Sequence, residues 1–339
     1  MNYGWGLVLC VVGWLAQGSA AAQTMSLQTA DTQTTATGIE RWLVRLHDAP
    51  RACSYIGTFV VTTGSDMSTS HIWHAGNGEL QMARVESLTG TARTTFRRND
   101  EVVTFLPDSR TVIHETREAL GLFPNLLNRA DASVTRFYRL HMVGQGRVAG
   151  LDADIVQLLP IDPLRFGYQI WTERKTGLMV KLQTLDAVGN VLDQAAFSEL
   201  QLDAPVVMAK LKAMMDNTQG YRVISPALVK TTVEDEGWVL RTPVPGFTPV
   251  RCYKRIVGGA SVVNAPLQCV FSDGLASVSL FVEPFDAQRH GRLLAHNLLV
   301  STGATSVRMR QLDTWWLTAV GEVPPQTLAA FVQALERKR

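Results

Sequence analysis

His71 and His74 stand three residues apart, a spacing that could offer two imidazoles to one metal ion if both faced the same way. On a strand, successive side chains point to opposite faces, so an odd separation divides them. Both then read as surface or edge histidines, and His47, His114, His141, His290 and His296 are dispersed. Asp152 and Asp154 offer two carboxylates for acid–base work, but they flank a turn, where Asp serves local backbone bonding. Gly144, Gly146 and Gly150 miss the spacing of the dinucleotide fingerprint and sit in a hairpin rather than a strand-to-helix turn. There is no Gly-x-x-x-x-Gly-Lys-Ser/Thr phosphate loop and no Gly-x-Ser-x-Gly elbow. Cys53 reads as a buried small hydrophobe rather than a nucleophile, and no Cys-x-x-Cys is present to hold zinc. The residues argue against an enzyme, a metal site or a cofactor, which leaves binding.

The elements around these residues are mainly strands. From Tyr138 to Leu200, apolar runs alternate with turn chemistry at Gly144–Gln145–Gly146, Gly150–Leu151–Asp152, Asp162–Pro163, Lys175–Thr176–Gly177 and Gly189–Asn190. Short Gly-bearing loops predict sequential antiparallel hairpins, a curved meander rather than a βαβ sheet. Before it, Ile39, Trp42, Leu43 and Leu46 form one helical stripe. Strands are predicted at 55–62, 70–73, 80–87, 93–98, 101–106 and 111–114. Glu115 to Leu127 reads as a helical excursion whose apolar end (Leu122, Phe123, Leu126, Leu127) should be buried on the open side of the sheet. Val206 to Gln219 reads as a helix, Thr231 to Arg241 as a strand ending near Trp238, and 252–256, 267–272 and 277–283 as further strands. Pro324 and Pro325 fit the start of a terminal helix with Leu328, Phe331, Val332 and Leu335 on one side.

Length allows roughly two domains. The net charge of +2, with scattered Lys and Arg, argues against nucleic acid. Leu7 to Ala16 is an apolar run too short to span a bilayer comfortably, followed by small residues and an Ala20-x-Ala22 cleavage pattern. The expected division is a signal peptide at 1–22, a loose lead-in at 23–37, a sheet domain at 38–205, a helical and linking segment at 206–225, and a smaller α+β domain at 226–339. Export permits a disulfide. Cys252 and Cys269 fall in neighbouring strand-like segments and are expected to pair, leaving Cys53 over.

Several stretches then resemble one family: Tyr55–Ile56–Gly57–Thr58–Phe59, Trp73–His74 with Gly78–Glu79 after it, Arg97–Arg98–Asn99–Asp100, Gln157–Leu158–Leu159–Pro160, Tyr168–Gln169–Ile170–Trp171, Thr176–Gly177–Leu178 and Phe271–Ser272–Asp273–Gly274. In order and spacing they resemble the periplasmic sigma-E regulatory proteins called RseB or MucB, over nearly all of the mature chain. The resemblance implies an α+β fold: an open antiparallel half-barrel with helices over its mouth, similar to the lipoprotein carriers LolA and LolB, joined by a flexible linker to a smaller C-terminal domain. It implies a periplasmic negative regulator that binds the periplasmic part of a membrane-spanning anti-sigma factor (RseA or MucA). That binding shields the anti-sigma factor from a DegS-type protease and keeps the envelope-stress sigma factor silent. Lipopolysaccharide or related lipid is implied as the releasing ligand, and homo-oligomers as the assembled form.

An open sheet leaves an apolar face that something must cover. Tyr55, Phe59, Phe105, Leu158, Tyr168 and Ile170 are the candidates for the apolar interior, with ordinary core packing as the alternative for each. Arg97, Arg98 and Arg165 are the candidates to meet lipid phosphates, against simple solvated charge. Trp238 and Phe271 are the candidates to support the partner surface, against burial in the small core. A lipoprotein or lipid carrier built on the same half-barrel is the competing function, and an exported hydrolase a third.

Overall fold

Where β-branched and aromatic residues accumulate, the chain forms strands, and in a computed structural model nineteen of them assemble into two sheets. The structure describes residues 41–116, 123, 132–256, 265–294 and 299–338. The expected signal peptide and lead-in lie outside these, as does the 115–127 excursion beyond Glu115, Thr116 and Phe123. Arg41–Arg339 form one compact unit, so the two sheets are described together.

The larger sheet is built from β1 (Tyr55–Thr63), β2 (Asp66–Gly76), β3 (Gln81–Ser87), β4 (Thr94–Arg98), β5 (Glu101–Leu106), β6 (Thr111–Thr116), β7 (Tyr138–Val148), β8 (Leu151–Pro160), β9 (Gly167–Glu173), β10 (Met179–Leu185), β11 (Val191–Leu202) and β12 (Arg222–Ile224). Its order is β12-β6-β5-β4-β3-β2-β1-β11-β10-β9-β8-β7, so β12 and β7 stand at opposite margins and the sheet is open. Neighbours are antiparallel, except that β12 runs parallel to β6.

Residues paired directly across strands share a face, so register assigns each side chain to a side. On one face Tyr55, Phe59, Ile72, Ala83 and Phe197 cluster with Phe123 and with Ala49 of α1 (residues 41–52). On the other, Met82, Phe96, Val103, Phe105 and Val112 pack against Leu211 and Met215 of α2 (Met208–Asp216). Gly57 is where Phe197 crosses β1: a Cβ there would lie 2.9 Å from the ring and 2.7 Å from the Glu199 carbonyl oxygen.

The smaller sheet has seven strands in the order β13-β15-β16-β17-β20-β19-β18. They are β13 (Ala227–Thr231), β15 (Thr248–Ile256), β16 (Leu267–Ser272), β17 (Ser277–Pro284), β18 (Leu299–Thr302), β19 (Thr305–Leu312) and β20 (Trp315–Gly321). A short ribbon pairs β14 (Trp238–Leu240) with β21 (Leu335–Arg337). Helices α3 (Ala287–Leu294) and α4 (Pro325–Ala334) accompany them. The stripe Leu328, Phe331 and Val332 of α4, continued by Leu335, is buried in the core of this sheet. Cys252 and Cys269 face each other across β15 and β16 and form a disulfide with an S–S distance of 2.10 Å.

Several segments differ from the sequence expectation. Gly144–Gln145–Gly146 lies inside β7, where the register shifts between Met142 and Gly144; glycines within an edge strand mark a bulge, not a hairpin. Thr231 to Arg241 is not one strand. The Thr232 hydroxyl accepts from Asp235 N at 3.0 Å and turns the chain, so Trp238 begins a new strand. Glu115 and Thr116 complete β6 instead of opening a helix. The segment expected to link the domains contributes β12 to the larger sheet, and only Ser225 and Pro226 separate β12 from β13.

The disulfide closes a loop with a sequence separation of 17, a length for which chain entropy gives about 3 kcal/mol. Replacing both cysteines by alanine is expected to lower stability by about that amount in urea unfolding while the core around Phe331 still folds.

Candidate binding site

Five of the six apolar candidates fall on one face of the large sheet. Phe59 pairs with Phe197, Val61 with Ala195, Ala195 with Leu182, Leu182 with Ile170, and Ile170 with Val156. Tyr168 and Leu158 pair two positions further along, and Tyr55 lies on the same side of β1. Phe105 belongs to the opposite face. The run of pairs from Phe105 through Thr94, Glu86 and His71 ends on Thr58, one residue out of phase with Phe59. Phe105 packs instead on Phe96 and Tyr221, at 5.6 and 5.3 Å between ring centroids, on the α2 side.

The inner face is covered by the protein's own rings. Phe123 touches Phe59 and Phe197 at centroid distances of 5.6 and 5.2 Å. Tyr55 is fully buried, stacked on His74 at 4.6 Å, and its hydroxyl has no hydrogen-bond partner among the described residues. Burial holds that phenol far above its usual range. His74 is also buried, not at a surface or edge, because α1 brings the Pro50 carbonyl within 2.6 Å of its Nε2. Nε2–H therefore donates to Pro50, and burial pushes the imidazole down to about 4. His71 faces the other way, beside Thr58 and Trp73.

The three arginine candidates have three different surroundings. Arg97 projects on the same face as Tyr55 and donates to the Asn99 carbonyl at 2.7 Å. Burial lowers its affinity for the proton, with Asp100 opposing and Arg51 reinforcing that effect. Arg98 is exposed on the other face, 4.0 Å from Glu101. Arg165 is wholly buried between the two sheets. Its Nε donates to Asp273 Oδ2 and its Nη1 to Asp162 Oδ2, both at 2.5 Å, and its Nη2 to the Pro245 carbonyl at 2.9 Å. Phe137 and Phe247 flank the guanidinium at 4.4 and 4.8 Å. The close fit depends on Gly246, whose φ is +83° and where a Cβ would lie 2.1 Å from Arg165 Nη2. With its three nitrogens committed, Arg165 is not placed to meet a lipid phosphate.

Asp273 completes this network. Its Oδ1 accepts from Leu275 N and Ala276 N at 2.9 and 2.8 Å, and its Oδ2 also accepts from the Tyr138 hydroxyl at 3.4 Å. Burial, the neighbouring Tyr168 and Asp273 raise the Tyr138 phenol well above its usual range, so it stays a donor. Sequence reasoning missed this role because Ser272–Asp273–Gly274 reads as turn chemistry alone; the only further signal was the Asp162-x-x-Arg165 spacing.

Trp238 and Phe271 are core residues, exposed by only 2% and 4%. Trp238 meets Trp315 edge-on at 5.5 Å and Phe271 meets Phe331 at 5.1 Å, so neither offers its own surface to a partner. Phe271 does floor a cleft of about 370 Å³, with Phe247, Phe331, Val244, Val250 and Lys230 around it. Among the described residues no cluster of His, Cys, Asp and Glu could hold a metal ion, and no helix is long and apolar enough to cross a membrane.

The chain thus has two sheets, one open with an aromatic inner face and the other docked on it through a buried ion pair. Family models add the particular case: residues 38–215 match the MucB/RseB N-terminal domain and residues 232–336 the MucB/RseB C-terminal domain, and the chain belongs to that family. The family is one of regulatory binding proteins, not enzymes. The chain is 32% identical to the sigma factor AlgU regulatory protein MucB of Pseudomonas aeruginosa over 298 residues, 84% of this chain and 86% of that one. It is 23% identical to the sigma-E factor regulatory protein RseB of Escherichia coli over 301 residues, 87% of this chain and 89% of that one. Among solved structures, the MucA/MucB complex of Pseudomonas aeruginosa matches with a TM-score of 0.65 and 26% identity, covering 88% of this chain and 99% of that one.

His74 is expected to make the stability depend on pH. Its folded value near 4 lies below the ordinary 6.5, so its contribution is complete above pH 6.5 and is lost as pH falls toward 4. Between pH 6.5 and 5 the loss is about 2 kcal/mol. Urea unfolding of His74→Gln should show a pH slope shallower by about that amount over the same window; an unchanged slope would place the imidazole in water.

Proposed function

We propose that this protein is a periplasmic negative regulator that binds the periplasmic region of an anti-sigma factor, shields it from regulated proteolysis, and lets go when lipid or lipopolysaccharide enters the open sheet. The observation that carries the first half is the likeness, over 88% of this chain, to MucB solved in complex with MucA. What supports the second half is the inner face itself. Phe59, Phe123 and Phe197 meet there without a covalent or ionic tie between them, and an acyl chain gains about 0.8 kcal/mol per buried methylene, enough to compete with such an aromatic contact. Such a guest shifts the equilibrium only by its preference for one state over the other. Tyr55, Phe59, Leu158, Tyr168 and Ile170 are the interior residues in this reading, and Arg97 is the cation best placed for a headgroup. Self-association is part of the same reading; the edge strand β7, with Met142 and Val143 exposed by 66% and 52%, is available for it.

The test is capture of the immobilised periplasmic segment of the anti-sigma factor, with and without added lipopolysaccharide, alongside the protection of that segment from protease. Capture and protection that both fall with lipopolysaccharide are expected. Phe123→Ala should lower the lipopolysaccharide concentration at half release several-fold while leaving lipid-free capture intact. Failure to capture removes the first half of the reading; capture indifferent to lipid removes the second.

A further inference from the structure

Among the described residues, the polar contacts between the two sheets gather at three places, each on a different part of the larger one. Glu115 of β6 meets Arg255 of β15. The 161–166 connection between β8 and β9 meets the smaller sheet through Arg165, and also through the Leu164 carbonyl, which accepts from Thr327 Oγ1 at 2.8 Å, and the Pro163 carbonyl, which accepts from Gln326. Asp193 of β11 accepts from Ala304 N at 3.0 Å. In strand order β6 lies beside one margin of the open sheet, β8 and β9 beside the other, and β11 between them. Within the smaller sheet, Arg255 follows the Lys254–Leu267 pair and Asp273 follows the Ser272–Thr248 pair, at opposite ends of β15 and β16. The two ion pairs are thus about 25 Å apart, one strand length.

We propose that the smaller sheet is a brace that ties both margins of the open sheet and so sets the width of its hollow, with Arg165–Asp273 as the end that releases. The groups left behind by release make this end reversible. Arg165 keeps Asp162 and Phe137, which belong to its own side, and Asp273 keeps the Leu275 and Ala276 amides of its own turn. Neither charge is stranded when they part, so docked and released forms are two discrete states rather than a folded and a broken one. Anything that widens the hollow favours release, and by reciprocity release eases entry to the hollow by the same factor.

The experiment uses the full chain carrying Cys53→Ser, with spin labels on cysteines placed at the exposed positions Val188, in the β10–β11 turn of the larger sheet, and Val300, on β18 of the smaller. The probe of the hollow is 1-anilinonaphthalene-8-sulfonate, titrated in a Val250→Arg background so that the cleft of the smaller sheet does not contribute. Asp273→Asn should broaden the label-to-label distance distribution and raise probe binding at least threefold, and Glu115→Gln should do the same to a smaller extent. Cysteines at Pro163 and Gln326 joined by a short bismaleimide should reverse both effects. A broadened distance with unchanged probe binding, a probe gain that survives the cross-link, or no change in either readout would each overturn the brace. If Asp273→Asn loses its near-ultraviolet circular dichroism, the cross-link on the otherwise unaltered chain decides, since it must then lower probe binding at least threefold. No readout uses the anti-sigma segment or lipopolysaccharide, so failure here is separate from failure of the regulatory reading.

Discussion

A guanidinium removed from water is tolerable only with its charge matched and its donors filled, and the architecture of this protein is arranged around meeting that condition for Arg165. Its partners come from three segments far apart in sequence, the 161–166 connection, the 243–247 loop and the β16–β17 turn. Losing one partner of such a pair costs about 3–5 kcal/mol, whereas a well-packed apolar substitute can be as stable as the pair. Net stability is therefore a weak reason for the pair to be there. Its geometric effect is stronger: it fixes which face of the smaller sheet meets the larger, and it brings Tyr138, Gly246 and Phe247 into one register.

With the two sheets placed, the two sides of the open sheet have separate fates. The side under α2 is closed by Leu211 and Met215 of a regular helix. Among the described residues, the other is covered by α1 and by the ring of Phe123, which lies over Phe59 and Phe197.

Strand pattern was legible because period-two alternation and Gly-bearing turns are local signals, and β1 to β11 follow them except at Gly144–Gln145–Gly146, which lies inside β7. Which side faces inward was not legible, since parity within one strand says nothing until registers join it to the next; that is why Phe105 was grouped with Phe59. His74 was misjudged for a related reason: its burial comes from the Pro50 carbonyl, 24 residues away. Arg165 and Asp273 look like solvated and turn residues because their meeting is across 108 positions. The 285–323 stretch, with three strands and a helix among the described residues, gave no reading at all; β18 has only four residues, and β19 breaks its apolar alternation with charge, as in Thr-Ser-Val-Arg-Met-Arg-Gln-Leu. The disulfide was legible because its cysteines sit on adjacent strands of one hairpin.

The bridge between the sheets is Ser225 and Pro226, bounded by strands on both sides. Two extended residues reach only about 7 Å. A smaller sheet set loose at its far end therefore pivots about a fixed corner and stays at millimolar-scale local concentration, of the kind a short tether maintains. Recapture is then an intramolecular event, independent of how dilute the protein is in its compartment, and the interval between letting go and closing again is a property of the chain alone.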